Sequence, residues 1–411
     1  MTWEMETVAE CIGDDARKDA PVGLFYPPVL PETPDLPPPG IYFGMPEEEY
    51  HALPALSSHG IKHLASSPML FWARASWLSA KRHKAEAERA LEERQHQVVG
   101  KAYHCRIMEG RDEFDRRFAI DLSEEECADA LVHTDQIKAA ITGAGEKPVA
   151  KVPDQLPDNG GEYMRTAKKA DWIAQLLDID PAAKILDVMQ ERHRAAHQGK
   201  NFISREAFEQ IEIAAKMIDD DPEVRHAFRD GYPEVVLIWT CPRTGVPMKA
   251  RVDYLKLRAI VDLKSIANQR ERSLEQAIRF EIASYHYNIQ PSVYAEGVEI
   301  VRRLVKEVGR RAIHLHNQSG DDAIAEWTLK WAAQTDLEWL WVFQQKGDAP
   351  VTRGVFYPLA GTTRMVTDEI VRQQKRRFRQ FSETFGTDPW VDVRPIYDLA
   401  DEDLPASATE I

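Results

Sequence analysis

Residues 249–265, KARVDYLKLRAIVDLKS, bring two carboxylates and an ammonium into one short stretch. A strand-like run ends at Asp253 and the next presents Asp262-Leu263-Lys264. Successive side chains of a strand point to opposite faces, so Asp262 and Lys264 project together while Leu263 turns into the core. Hydrolysis of a phosphodiester needs shielding of the charge that develops at phosphorus, and a hydroxide at neutral pH. A hard cation such as Mg²⁺ held by carboxylates serves both needs. Asp253 and Asp262 are the candidate metal-holding carboxylates. A lysine beside the metal can orient or help deprotonate the attacking water, and an imidazole from another element can complete the coordination shell. Lys264 and His104 suit those roles. On the strand of Asp253, alternation puts Lys249 and Arg251 on the same face as the carboxylate, which makes them candidates for contacting phosphates.

Those side chains need elements to hold them. After Gly231 the pattern turns apolar and β-branched, with strands expected over 234–239, 248–255 and 259–264 and a glycine-containing turn over 242–247, a three-stranded meander. The apolar spacing of 98–108 suits a helix packed on a core, and His104 lies on it. Within 45–78, Pro46 before an acidic turn and Ser57-Ser58 before Ile61 and Leu64 are helix-start signals, so this stretch reads as a helical arm. Residues 111–230 read as a mostly helical insertion with a polar loop at 152–162 and an amphipathic helix at 204–217. Helices over 273–281 and 291–305, strands over 338–345 and 354–359, and a basic helix over 365–385 complete the core. The expected organisation is a Pro- and acid-rich leader (1–40), the arm with the His-bearing helix (41–110), the insertion (111–230), the core sheet and helices (231–400) and an acidic tail (401–411). The fold class is α/β, a mixed central sheet flanked by helices.

Composition narrows the function. With 52 Lys and Arg against 67 Asp and Glu, the 411-residue chain carries a formal charge of -15, which argues against coating nucleic acid with the whole surface but leaves room for a local basic channel. Cys11, Cys105, Cys127 and Cys241 are far apart with no C-x-x-C pair, so neither a disulfide framework nor a zinc ribbon is expected and a reducing cytoplasm is the simplest home. No apolar run nears the roughly 18 residues that span a bilayer, so membrane insertion and export are not expected.

In this order the motifs resemble the PD-(D/E)xK nuclease superfamily, in its RecB-like and RecE-like (exonuclease VIII) branch. Gly100-Lys101-Ala102-Tyr103-His104 looks like the branch's G-x-x-x-H helix, Asp253 like its first acid, Asp262-Leu263-Lys264 like its D-x-K, and Gln290 to Tyr294 like its Q-x-x-x-Y. The arm text MPEEEYHALPALSSHGIKHLASSP and the strand text EVVLIWTCPRTGVPMKARVDY look like the RecE-type subgroup. The resemblance implies that Asp253, Asp262, the Leu263 carbonyl and His104 hold Mg²⁺ or Mn²⁺, with Lys264 the catalytic lysine. It also implies that Gln290 and Tyr294 line a DNA-facing helix, and that Glu234 reaches the site through water. Pro291 follows Gln290 directly, so Gln290 must sit at a helix start or a kink. At the level of function the resemblance implies a processive 5′-to-3′ exonuclease on the ends of linear double-stranded DNA. It would leave a 3′ single strand for a RecT-like annealing protein, form a ring-shaped homo-oligomer, and be encoded by a phage or prophage in the bacterial cytoplasm. The iron-sulfur version of this core needs a cysteine trio after the core, and no cysteine follows Cys241, so no cluster is expected.

Each motif has a plainer reading. An isolated D-x-K is usually a solvated surface pair, and it is the ordered company of the other motifs that favours the nuclease. His193 and His197, four apart, have no third ligand nearby and read as a solvated helix, as do His314 and His316. The basic run Arg372, Lys375, Arg376, Arg377 and Arg379 suits either DNA phosphates or an exposed cationic face. A structure-specific or single-strand nuclease on the same core and a nuclease-inactive DNA-binding or partner-binding scaffold are the alternatives, while a metalloprotease lacks any H-E-x-x-H.

Overall fold

The computed structural model describes residues 36–79, 95–155, 162–266, 268, 270, 272–316, 322–346 and 350–392. Its strands, in chain order, are β1 (Gly40–Phe43), β2 (Phe118–Ile120), β3 (Lys151–Gln155), β4 (Glu162–Thr166), β5 (Asn201–Ile203), β6 (Gly231–Thr240), β7 (Pro247–Lys256), β8 (Ala259–Ile266), β9 (Ile313–Leu315), β10 (Glu338–Gln345) and β11 (Val351–Tyr357). Seven of them form one mixed sheet ordered β11-β10-β8-β7-β6-β1-β9. The fold is thus the expected α/β class, and the β6-β7-β8 meander sits at its centre with antiparallel pairing throughout. Strand β10 returns parallel to β8 after helical crossovers, as parallel neighbours require.

Sequence explains the centre. Val235, Val236, Leu237, Ile238 and Trp239 of β6 are all fully buried, a continuous apolar run because the sheet is covered on both faces. One apolar cluster gathers Trp239, Trp339, Trp341 and Phe343 with the helices Ile289–Val308 and Thr362–Phe385. A second gathers Val261, Leu263 and Val342 with the His-bearing helix Gln95–His104 and the helix Arg205–Asp220. Cutting one of those tryptophans to alanine costs about 3–5 kcal/mol. The Ile289–Val308 helix lies close on β6 because Gly297 lets it: a Cβ there would stand 2.8 Å from the Trp239 ring.

The arm runs through helices Glu47–Ala52, Ser58–Ser66 and Pro68–Arg74. Ser57 caps the second by accepting from the Gly60 amide at 3.1 Å, and Pro68 opens the third. Two expectations are corrected. The expected arm also supplies β1, inserted between β6 and β9, and Gly40, expected in the leader, is its first residue. Strands of three or four residues such as β1 and β9 are too short to show alternation, and their partners lie far away in the chain. The described ends of the polar loop expected at 152–162 are strand, β3 and β4 pairing antiparallel, and β2 pairs with β5 within the mostly helical insertion. The leader to residue 35, the charged stretch 80–94 and the acidic tail lie outside the described residues. Among the described residues no helix is long and apolar enough to cross a membrane. Cys105, Cys127 and Cys241 are free and buried.

Candidate active site

Antiparallel pairing of β7 with β8 sets Tyr254 opposite Val261 and Leu255 opposite Ile260. One more step of that register sets Asp253 opposite Asp262. The Leu263 amide donates to Asp253 Oδ2 at 3.1 Å, so the residue between Asp262 and Lys264 anchors the other acid. Asp262 is fully buried. Its Oδ1 accepts from Gln290 Nε2 at 2.5 Å, while Oδ2 forms an ion pair with the Lys264 ammonium but has no aligned hydrogen bond.

The electrostatics follow from that crowding. Burial, with the neighbouring charge of Asp253, pushes the Asp262 carboxyl up to about 6 against the pull of Lys264. Burial raises Asp253 as well, although Lys264 and the Leu263 amide oppose it. Burial works to lower Lys264, yet Asp262 and Asp253 outweigh it and hold the ammonium above its ordinary value. Two facing carboxyls that resist being charged together, with an oxygen lacking an aligned donor, fit a divalent cation.

Glu234 sits at the same level on β6. Pairing with β7 runs through Pro233 and Tyr254 and resumes at Val235 and Val252, and the skipped Glu234 has φ 54°, a conformation that non-glycine residues rarely hold. Its carboxylate pairs with Arg251. Desolvation raises that carboxyl to about 7, opposed by Arg251 and reinforced by Asp253.

His104 closes the Gln95–His104 helix where it passes into a π-helical turn, Cys105–Glu109, an irregularity frequent at functional sites. Desolvation, then the charge of Lys264, lowers its imidazole to about 4 against Asp262, so it faces the site neutral. No group of three or more His, Cys, Asp or Glu among the described residues stands close enough to hold a metal. His104 is therefore not gathered with the aspartates into a three-side-chain cage, and the fit is to a cation that takes two carboxylates and keeps waters, as Mg²⁺ does.

Other expected site residues serve the architecture. Gln290 and Tyr294 lie one turn apart on the Ile289–Val308 helix, with Pro291 in its first turn as the ring requires. Both are buried rather than turned toward a substrate: Gln290 holds Asp262, and the Tyr294 hydroxyl donates to the Arg251 carbonyl at 2.8 Å. Lys249, expected at a phosphate, is also buried, its ammonium donating to the carbonyls of Tyr50, His51 and Leu53 at 2.8, 3.1 and 2.9 Å. Alternation gave it a face, but the arm covers that end of β7.

The arm also brings residues whose role the sequence reading missed. Lys62 Nζ donates to the Tyr285 carbonyl at 2.7 Å and stands 5.3 Å from the Tyr287 ring centroid, while Lys264 stands 5.2 Å from the same ring. Desolvation and the charge of Lys264 lower Lys62 to about 8. His59, a turn before it, is lowered to about 4 by desolvation and by Lys62 and Lys264 although solvent reaches it. The available signal was a lysine in an amphipathic helix beside the buried Ile61 and Leu64.

The basic helix divides. Lys375 is buried against Glu296, Arg377 pairs with Asp392 and Arg379 with Glu383, whereas Arg376 is exposed. With Arg243 and Lys306, Arg372 and Lys375 line a cleft of about 760 Å³. His193, on the helix Leu186–Ala196, and His197, its C-cap, are partly buried against the carbonyls of Ile120 and His193, at 3.0 and 2.9 Å.

Residues 179–309, which include both aspartates, Lys264, Gln290 and Tyr294, match the profile of a family described as a PDDEXK-like domain of unknown function. No curated protein matches the chain. A solved structure of a "Putative exonuclease" from Eubacterium rectale is 14% identical, with a TM-score of 0.29 over 63% of this chain and 82% of that one. A likeness so partial carries no argument here.

Proposed function

We propose that the protein is a DNA nuclease dependent on Mg²⁺ or Mn²⁺, acting from the ends of linear duplex DNA. One observation carries the reading: the fully buried Asp262 and the partly buried Asp253 lie on adjacent strands with a lysine ion-paired to Asp262, inside the segment similar to a PDDEXK-like domain. Asp253 and Asp262, with the Leu263 carbonyl, would hold the cation, and His104 would stand beside it. When bound, the cation supplies charge for the phosphate oxygens and lowers the pKa of water. The residues do the rest. Lys264, kept charged by the two acids, would orient the attacking water against the phosphate. Gln290 and the Leu263 amide fix the rotamers of Asp262 and Asp253 before substrate arrives, so the geometry does not have to be created at each turnover.

A 5′-to-3′ direction, a 3′ single strand handed to a RecT-like annealing protein, and a ring-shaped homo-oligomer that encloses the strand are the finer parts of the proposal, supported by the RecE-type motifs. The test is digestion of linear and closed-circular duplex with Mg²⁺, using 5′- and 3′-labelled ends and Lys264→Ala as control. Loss of linear DNA alone, from the 5′ end and abolished in Lys264→Ala, is the expected result. Cutting of circles would replace the exonuclease with an endonuclease. Well-folded protein that cuts neither would leave only a binding scaffold.

A further inference from the structure

Beside the catalytic lysine the chain exposes an aromatic surface that the chemistry above does not use. The rings of Tyr285 and Tyr287 are stacked, with centroids 5.7 Å apart and planes 19° from parallel. Between them His286 takes φ 49°, a left-handed turn that a non-glycine residue holds only when its surroundings insist. Tyr287 is half-buried, with the Lys62 and Lys264 ammoniums 5.3 and 5.2 Å from its centroid. Tyr285 is 56% exposed, and Lys62 holds its carbonyl rather than its ring. A large aromatic left open to solvent, braced from behind by a second ring and pinned through its backbone, is built as a platform. Among the described residues its ring contact is with Tyr287 alone.

The neighbouring charges say what the platform would take. Lys264 and Lys62 favour a phosphate at Tyr287, and successive nucleotides are spaced so that a base attached there reaches the next ring outward. Every base has a face that stacks on an aromatic ring, which gives about 1–3 kcal/mol per base without sequence preference. Inside a duplex a paired base offers no such face, because its neighbours cover both sides, and at a blunt end only the outer face of the last pair is open.

We propose that Tyr285 is a stacking platform for an unpaired base of the strand being cut, so that the site acts on a frayed or single-stranded end rather than on intact duplex. This rests on the nuclease reading. The probe is a single-stranded oligonucleotide with 2-aminopurine at its terminal base, and a duplex carrying the same base in a pre-frayed end. Fluorescence is read with the full-length protein and Ca²⁺ in place of Mg²⁺, and cleavage is read separately with Mg²⁺. Expected for the wild type is quenching of the unpaired base. Tyr285→Ser abolishes it and raises KM on the frayed substrate about tenfold, with kcat within about twofold, in keeping with one lost stack. Tyr285→Phe restores both, since stacking needs the ring and not the hydroxyl. Quenching and KM unchanged in Tyr285→Ser would overturn the proposal, as would wild-type protein that neither binds nor cuts the unpaired strand. Quenching that depends on Tyr285 in a protein that cuts nothing would sink the nuclease reading and leave the platform standing.

Discussion

Lys249 and Lys264 stand on neighbouring strands of one sheet, the first buried and the second partly buried, and they meet opposite surroundings. The ammonium of Lys264 meets Asp262, with Asp253 beyond it, and stays charged despite burial. Among the described residues, that of Lys249 meets the carbonyls of Tyr50, His51 and Leu53 and the face of Tyr50, and burial lowers it to about 7. Carbonyl dipoles hold a proton less firmly than a carboxylate does, so one lysine keeps its charge and the other is a pin that ties the arm to β7. Residue type and strand alternation do not separate them. Only what lies opposite does.

The sharpest way to break that contrast is Lys264→Met. It is expected to lower kcat about 10³-fold while near-ultraviolet circular dichroism stays native, in the range a positioned proton-transfer group contributes; retained cleavage would end its catalytic assignment. The reciprocal change, Lys249→Met, removes the ammonium shared by three arm carbonyls, of which those of Tyr50 and Leu53 keep a backbone donor, and is expected to cost about 1–3 kcal/mol in urea unfolding, with kcat per folded molecule unchanged. A fully folded Lys249→Met protein that cannot cut would mean that the two lysines are not different in kind.

A third test uses pH. The Asp262 carboxyl is raised to about 6 from an ordinary value of 3.8, so the folded state binds its proton more tightly than the unfolded chain. Stability of the metal-free protein should therefore fall as pH rises from about 4 to about 6 and stay lower above that. Mg²⁺ requires the ionised carboxylates, so it should raise Tm more at pH 7 than at pH 5. Equal shifts at both would show that the cation does not sit on this pair. The smallest effect is expected from Lys62→Ala, about a fivefold loss in kcat/KM that Lys62→Arg recovers in part, because a single partly screened phosphate contact is worth about 1 kcal/mol. No loss at low salt would confine Lys62 to holding the Tyr285 turn.

Much of the centre was legible beforehand. The meander over β6, β7 and β8 and the strand β10 fall where apolar β-branched runs put them, and Pro291 predicted that Gln290 opens its helix. What failed to show were short elements and inward-facing polar groups. β1 and β9 are defined by partners hundreds of residues away, and Gln290 and Tyr294 look in sequence like residues for a ligand although they brace β7 and β8. The arm was recognisable as helix from its serine cap. That its Lys62 reaches the lysine of β8 was not, because side chains two hundred residues apart meet only through the packing between them.

By itself, then, the order of residues determined which chemistry is possible: acids and a lysine at a spacing of two on a strand, a property of local alternation that no distant contact can change. Tertiary structure alone decided which acids face each other, which lysine keeps its charge and which aromatic ring stays open beside it. Those are matters of register, burial and neighbouring charge, and each depends on chain segments that meet only once the sheet and the arm have closed.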